Sequence, residues 1–323
     1  MARSALLAVS TAISIALLTS GCAGPEDDGP ERSSSGPSSE LSTTGSATSP
    51  STEVALPTSD NIDIGGVAVY VRCWGERRPD EPSVLLMSGH NLDTGSWENM
   101  ATEFAAEGHH LCAYDRLGAG LSDYPLEPAR TTEDQVADLL ALLDAVELQE
   151  PLVVVAHSIG SLTAVGLVDE APDRVAGVVL VDPLSPGLST VQRSALPAKQ
   201  PHESATVKEE RRFLFGFLED PAQNGEHLRL FENDEYVARL LDKPGPVFGD
   251  LPVVVLQAPR LPPFEGLPRS YYDAVVTAVD EGAEQFAAES THGRLIHVDH
   301  TGHNIQDDQP EVVMDAIREV IAG

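Results

Sequence analysis

The sequence predicts an α/β domain whose central sheet is mostly parallel and carries helices on both faces. Three observations lead to this class. Short, continuous runs of apolar residues have the length of strands buried on both sides. Stretches with apolar residues at helical spacing lie between them, as in 132–146, where Val136, Leu139 and Leu143 recur. Finally, 41% of the residues are hydrophobic, which is enough to bury a full core.

The predicted strands follow one another along the chain with helices between several of them. The first alternates apolar and polar residues, as an exposed edge strand does, and the others are continuous apolar runs. Strands are expected at 67–74, 84–87, 111–114, 152–156, 175–181, 253–256 and 296–298. Helices are expected at 132–146, 162–170, 208–218, 226–241 and 311–321. No strand is expected between about 184 and 250, so this region is predicted to be a helical cap inserted over the strand ends.

The first 60 residues are predicted to lie outside the folded domain. Residues 1–22 combine a basic start with an apolar stretch of signal-peptide length, and their end at Cys22 resembles a bacterial lipoprotein signal. Residues 23–60 are rich in Ser, Thr, Pro and Gly, which is typical of a flexible tether. We therefore expect an exported domain at 61–323, lipid-anchored through Cys22 on the outer face of the cytoplasmic membrane. A secretory signal that is cut elsewhere is the alternative.

The charge of the chain excludes several classes of partner. Lys and Arg total 20 against 51 Asp and Glu, so the formal net charge is −31. Such a surface repels phosphate groups, which argues against nucleic-acid binding and against electrostatic docking on anionic membranes. The three cysteines form no Cys-x-x-Cys pair, so neither a structural zinc cluster nor a disulfide-rich scaffold is expected. The sequence predicts no metal and no other cofactor.

A candidate nucleophile lies in the pentapeptide Ala-His-Ser-Ile-Gly at 156–160. It follows a predicted buried strand and precedes a predicted helix, which is the context of a nucleophile elbow. The sharp turn needs small residues two positions either side of the serine, and Ala156 and Gly160 meet that need. Ser158 would then present its hydroxyl above the sheet. The alternative is that Ser158 caps the following helix, a role that Ser161 can also fill.

From about residue 62 to its end, the sequence resembles the α/β-hydrolase family. Besides the pentapeptide, residues 84–91 (VLLMSGHN) match the strand and oxyanion loop of that family, with Ser88 in place of its usual histidine. The resemblance implies an oxyanion hole made by the backbone N–H groups of His90 and Ile159. It also implies the doubly covered, mostly parallel sheet that the apolar runs predict.

Two further matches concern the scaffold. Residues 114–122 match the family's Asp-Arg-x-Gly-x-Gly-x-Ser loop, in which Asp115 and Arg116 are expected to be structural. Exported relatives carry a similar pair of cysteines, one in a Cys-x-Gly and one in a Cys-x-Tyr-Asp-Arg segment, so the resemblance implies a disulfide between Cys73 and Cys112 in an oxidising compartment. Two buried free thiols are the alternative.

The resemblance also implies the base and the acid of a catalytic triad. His303, in a Gly-His pair before a terminal helix, matches the general base. Three other histidines lie nearby and match less well, namely His292, His297 and His300. Many relatives have an Asp shortly after the strand at 253–256, but the first carboxylate here is Glu265. Asp182 ends the preceding strand, where some relatives keep their acid, and we prefer it because rigid sheet holds catalytic groups better than a loop does.

These residues predict a serine hydrolase that cleaves a small-molecule ester or amide through an acyl-enzyme. A serine nucleophile excludes the epoxide hydrolases and haloalkane dehalogenases of this fold, which need a carboxylate at that position. The first alternative is an aminopeptidase-like peptidase whose cap holds a substrate amine. Its candidate carboxylates are Glu209, Glu210, Glu219 and Asp220. The second alternative is a non-catalytic ligand-binding lipoprotein of the same fold.

Overall fold

A computed structural model describes residues 57–323 apart from 147, 149, 261 and 264. The predicted signal peptide at 1–22, its Cys22 and most of the predicted tether lie outside the described residues. Within the described part of the chain, none of the helices combines the length and the apolar character needed to cross a bilayer.

The described strands form one eight-stranded sheet at the centre of the fold. Its eight strands are β1 (Thr58–Asp63), β2 (Ala68–Trp74), β3 (Val84–Met87), β4 (Leu111–Tyr114), β5 (Leu152–His157), β6 (Val175–Val181), β7 (Gly249–Gln257) and β8 (Ser290–His297). They lie in the order β1-β2-β4-β3-β5-β6-β7-β8. The pairs β1–β2 and β2–β4 are antiparallel and all the others are parallel. The predicted fold class is confirmed.

The helices lie on both faces of this sheet. Those described are α1 (Glu98–Ala106), α2 (Thr132–Ala145), α3 (Gly160–Glu170), α4 (Leu188–Ala195), α5 (Ala205–Arg212), α6 (Leu230–Leu241), α7 (Arg269–Ala288), α8 (Ile305–Asp308) and α9 (Pro310–Ala322). Short 3₁₀ turns occupy Thr94–Trp97, Pro172–Arg174 and Pro221–Gln223, and a π-helical turn occupies Phe213–Phe217.

Two apolar cores, one on each face, hold the layers together. Leu85 of β3 belongs to the core that includes residues of α2, α3 and α7, whereas the next residue, Leu86, belongs to the core that includes α1 and α9. Successive strand residues point to opposite faces, so a strand covered on both sides must be apolar throughout. This explains why the continuous apolar runs locate the central strands correctly.

The two outermost strands differ from the predictions. β1 begins at Thr58, a few residues before the predicted domain boundary at 60/61. β8 begins at Ser290 rather than at 296. Both strands are largely exposed, because each sits at an edge of the sheet where polar side chains face solvent. Their polar composition gives no apolar run to detect.

The region between β6 and β7 is helical, and Gly249 begins the next strand. Its helices are α4, α5 and α6, which differ in their bounds from the predicted helices. Residues 208–218 continue from α5 into the π-helical turn instead of forming one α-helix. α6 starts at Leu230 rather than 226, and Leu228 just before it forms a β-bridge with Arg130, which precedes α2. We call the residues 184–248 the insertion.

The disulfide between Cys73 and Cys112 is present, which confirms that prediction. The two residues face each other across the antiparallel pair β2–β4, with an S–S distance of 2.04 Å and a Cα–Cα distance of 4.1 Å. The bond joins the strand that carries Cys73 to the strand that leads into the loop at 115–122.

Candidate active site

Ser158 lies in a tight turn between β5 and α3. Its φ of 53° is in the left-handed region, which few residues other than glycine adopt without a strong structural reason. Its backbone N–H donates to Val181 O at 3.1 Å, so the turn is attached to the end of β6. A Cβ on Gly160 would lie 2.9 Å from Met87 O, so the small residue expected there is needed for close packing against β3. The turn has the strand–turn–helix geometry of a nucleophile elbow.

The helix that follows the elbow is not capped by Ser158. Among the described residues, no side chain caps the first turn of α3, and Ser161 Oγ donates to Ser158 O at 2.6 Å. The helix-cap interpretation of Ser158 is therefore not supported by the geometry. The Ser158 side chain therefore has no capping role.

Asp182 is the first residue after β6, and two contacts orient its carboxylate. Oδ2 accepts a hydrogen bond from His303 Nδ1 at 2.6 Å, and Oδ1 accepts one from Ala258 N at 2.9 Å. The backbone N–H of Asp182 donates to Leu256 O at 2.7 Å. The backbone of β7 thus holds Asp182 in place while its second oxygen faces the imidazole.

His303 lies in the loop between β8 and α8. Its Nδ1 faces a carboxylate, so the proton of the neutral imidazole is fixed on Nδ1 and the lone pair on Nε2. Nε2 is buried and has no hydrogen-bond partner among the described residues. It therefore makes no hydrogen bond to Ser158 in this structure.

The other candidates for base and acid are placed differently. Each of the remaining C-terminal histidines is exposed, namely His292, His297 and His300. Glu265 is also exposed, and its backbone carbonyl accepts a hydrogen bond from Thr206 Oγ1. Asp182 and His303 are thus the acid and base candidates that the structure brings together.

His157, which no sequence motif had singled out, supports the loop of His303. Its Nε2 lies 3.1 Å from the backbone oxygen of His303, and the two rings are 4.6 Å apart. Burial holds the pKa of His157 well below its usual value, and the nearby His303 and Arg116 lower it further. His157 is therefore neutral at neutral pH and donates through Nε2. Its position directly before Ser158 was the signal that could have drawn attention to it.

The loop after β3 carries the residues expected to form the oxyanion hole. Ser88 Oγ accepts from Trp97 Nε1 at 3.1 Å and donates to Asp93 O at 3.0 Å, so it anchors the start of the loop. The backbone N–H groups of His90 and Ile159 donate to no other described residue. They remain available to a substrate oxygen.

Arg116 and Glu226 form a buried ion pair behind this loop. Arg116 Nε donates to Glu226 Oε2 at 2.6 Å, and Arg116 also donates to the backbone oxygens of Ser88 and Gly89. Burial alone would raise the pKa of Glu226, but the charge and hydrogen bonds of Arg116, together with His90 and Arg130, outweigh it and the pKa lies below its usual value. Glu226 was missed because no motif marks it, and it meets Arg116 only in the folded chain.

The acidic residues considered for an amine site all have partners. Glu209 lies near Arg212, and Glu219 pairs with Arg193. Glu210 accepts a hydrogen bond from Tyr271 and is buried. Asp220 accepts from the backbone of Ala222 and caps the turn that follows. None of these carboxylates is held free for a substrate amine.

One group of potential metal ligands occurs in the described residues, at Cys73, His110 and Cys112. The two sulfur atoms are bonded to each other, so they offer no thiolates to a metal. Burial lowers the pKa of His110 to about 4, which keeps its ring neutral.

A family profile and known proteins match the larger part of this chain. The profile of the alpha/beta hydrolase family matches residues 84–316, which is more than half of the chain. The chain is 29% identical to an esterase of Mycobacterium tuberculosis in an alignment that covers 82% of this chain and 90% of the esterase.

Other similarities cover less sequence or show the fold alone. A non-heme chloroperoxidase of Streptomyces lividans is 33% identical over 122 residues, which is 38% of this chain. The chain spans less than half of that relative's length, 43%. The solved structure of epoxide hydrolase A from Mycobacterium thermoresistibile superposes with a TM-score of 0.58 at 18% identity and covers 83% of this chain and 99% of that one.

Proposed function

Because the chain belongs to the alpha/beta hydrolase family, we propose that it is a serine hydrolase that cleaves carboxylic esters. The observation that carries the proposal is the hydrogen bond between Asp182 and His303 beside the elbow of Ser158. With the proton held on Nδ1, the other ring nitrogen, Nε2, is an acceptor. It is buried and has no partner among the described residues. A buried acceptor of this kind is what a serine nucleophile needs to lose its proton.

The proposed reaction has two halves. Ser158 Oγ attacks the ester carbonyl carbon while His303 Nε2 accepts the hydroxyl proton, and Asp182 stabilises the imidazolium that forms. The backbone N–H groups of His90 and Ile159 stabilise the oxyanion. His303 then gives the proton to the leaving alkoxide, and an acyl-enzyme remains on Ser158. In the second half, His303 activates water, which releases the carboxylic acid and restores the serine.

Esters are proposed in preference to peptides because the insertion offers no unengaged carboxylate among the four considered for binding a substrate amine. The four carboxylates that could have held a substrate amine are engaged with other protein groups. The esterase of M. tuberculosis also aligns with 82% of this chain, far more than the chloroperoxidase does. We propose no cofactor for this reaction.

Labelling with a fluorophosphonate tests the proposal directly, because only an activated serine reacts with this probe. The purified protein should be labelled at Ser158, and Ser158→Ala should not be labelled. Hydrolysis of short p-nitrophenyl esters should be lost in the same variant. A wild-type protein that is folded but unreactive toward both reagents would favour the non-catalytic binding protein instead.

We also propose that the mature protein is exported and anchored by lipid on Cys22. The support is the sequence of residues 1–22 together with the Cys73–Cys112 disulfide, since such bonds persist in oxidising compartments. Mass spectrometry of the mature N-terminus tests this. A diacylglyceryl-modified Cys22 is expected, and an unmodified protein released to the medium would contradict the anchor.

A further inference from the structure

A buried carboxylate of the insertion sits directly behind the loop expected to form the oxyanion hole. Glu226 is only 2% exposed, and its two oxygens accept hydrogen bonds from Arg116 at 2.6 and 3.0 Å. Its neighbour Gly225 is in backbone contact with Gly118, since a Cβ on Gly118 would lie 1.9 Å from Gly225 O. This contact brings the insertion close to the loop that carries Arg116.

Arg116 uses two further donors on the oxyanion loop. Its Nη2 donates to Gly89 O at 2.8 Å, and its Nη1 donates to Ser88 O. The carbonyl of Gly89 and the N–H of His90 belong to one planar trans peptide, so they point in opposite directions. By holding Gly89 O, Arg116 therefore aims the N–H of His90 to the opposite side of that peptide.

Glu226 is also linked to the helix that follows the nucleophile. Gln135 Nε2 donates to Glu226 Oε2 at 3.1 Å, and Gln135 Oε1 accepts from Thr163 Oγ1 at 3.2 Å. Thr163 belongs to α3, which begins next to Ile159. The same carboxylate thus connects to both backbone segments that offer an oxyanion donor.

The charges in this cluster are consistent with a fixed arrangement. Burial lowers the pKa of His90, against the effect of the Glu226 carboxylate 3.7 Å away, so His90 stays neutral. Burial lowers the pKa of Arg116, but the attraction and hydrogen bonds of Glu226, with Tyr114 and Asp115, outweigh it, so the net pKa is raised and Arg116 keeps its proton. A buried guanidinium without its carboxylate would be strongly unfavourable, so Glu226 determines whether Arg116 can stay in this position.

We infer that Glu226 is a positioning residue of the oxyanion hole, which acts through Arg116 on the peptide between Gly89 and His90. The insertion then supplies part of the catalytic frame in addition to covering the strand ends. This inference rests on the proposed function, because it assigns a role within the same site.

The test compares Glu226→Gln with wild type in ester hydrolysis. We expect kcat to fall by about 10 to 100-fold, less than the loss of a whole oxyanion donor, with KM changed little because a neutral ester makes weak use of the hole. The Ki of a trifluoromethyl ketone should rise in proportion, because its hemiketal oxyanion occupies the hole. Titration with a fluorophosphonate gives the fraction of active sites, so that kcat refers to competent enzyme only.

Glu210→Gln is the matched control, because it removes another buried carboxylate of the insertion, the partner of Tyr271. It should leave kcat per active site and the ketone Ki unchanged. If Glu226→Gln does not fold, Arg116→Lys serves instead, since lysine keeps the charge but loses the fork that holds Gly89 O. It should give the same pattern of lowered kcat and raised ketone Ki.

The outcomes separate the two hypotheses. Wild type that is inert toward both ester and fluorophosphonate overturns the proposed function and the role of Glu226 with it. The role of Glu226 alone is overturned if wild type is active and folded Glu226→Gln has a kcat and a ketone Ki within about twofold of the wild-type values. The role of Glu226 is also overturned if the loss of activity equals the loss of active sites titrated by the fluorophosphonate, because Glu226 would then be merely structural.

Discussion

Replacing Asp182 by asparagine is the sharpest perturbation that the site allows. The carboxylate accepts from two donors, Ala258 N and His303 Nδ1, at 2.9 and 2.6 Å. Asparagine has one carbonyl oxygen, and the backbone N–H of Ala258 cannot turn away. The carbonyl of asparagine is therefore expected to face Ala258, which leaves its NH₂ group facing His303 Nδ1.

The expected magnitude follows from this arrangement. An NH₂ donor toward Nδ1 favours the tautomer of His303 that carries its proton on Nε2, which cannot accept the proton of Ser158. The negative charge that stabilises the imidazolium is lost as well. A triad that is altered in this way loses about 10⁴ in kcat, or about 5.5 kcal/mol of transition-state stabilisation.

The assay is hydrolysis of a short p-nitrophenyl ester, with thermal unfolding to check that the variant is folded. Glu265→Gln is the matched control, because Glu265 was the other candidate acid and lies exposed. It should keep the activity of wild type. A folded Asp182→Asn enzyme that retains kcat within about tenfold of wild type, or a large loss in Glu265→Gln, would refute the assignment.

Three further predictions test the nucleophile, the disulfide and a buried acid. Ser158→Ala should lower kcat by about a million-fold, toward a residual rate that substrate binding and the oxyanion hole sustain. The double change Cys73→Ala and Cys112→Ala opens a loop with a sequence separation of 39. It should lower the free energy of unfolding by about 4 kcal/mol in denaturant titrations, and a loss below about 1 kcal/mol would contradict the chain-entropy reasoning. Burial raises the pKa of Asp234 to about 6, above its unfolded value of 3.8, so its protonated form is favoured in the folded state. Its contribution is therefore fully present below the unfolded pKa and is lost as the pH rises toward 6. Relative to Asp234→Asn, wild type should lose about 2 kcal/mol of unfolding free energy between about pH 4 and pH 7, and the same pH dependence of stability in both proteins would contradict this.

Several features of the fold and the site could be predicted because local sequence determines them. The central strands are apolar on both faces, and the elbow needs a small residue at Gly160 because a Cβ there would lie 2.9 Å from the backbone of β3. The pairing of Cys73 with Cys112 follows from the neighbouring positions of β2 and β4, which the resemblance to a known family implied.

The features that were missed depend on contacts formed only in the folded chain. β1 has a polar, exposed sequence, and α7 places only a few of its 20 residues in the core, such as Tyr271, Val275 and Phe286. Glu226 lies 110 residues from Arg116 along the chain. No local pattern distinguishes this glutamate from the exposed acidic residues around it, although it is among the most deeply buried charges described.

The position of the proposed acid, Asp182, shows how the sheet allows a carboxylate at the end of either of two strands. β6 and β7 are adjacent and parallel, with Val181 paired to Leu256, so their ends lie side by side at one edge. A carboxylate at either end can therefore reach the same imidazole. In this chain Asp182 directly follows β6, and Ala258, the residue after β7, supplies a backbone N–H that binds the second carboxylate oxygen. The strand that carries the acid in many relatives thus still contributes here, as the support that orients Asp182 toward His303.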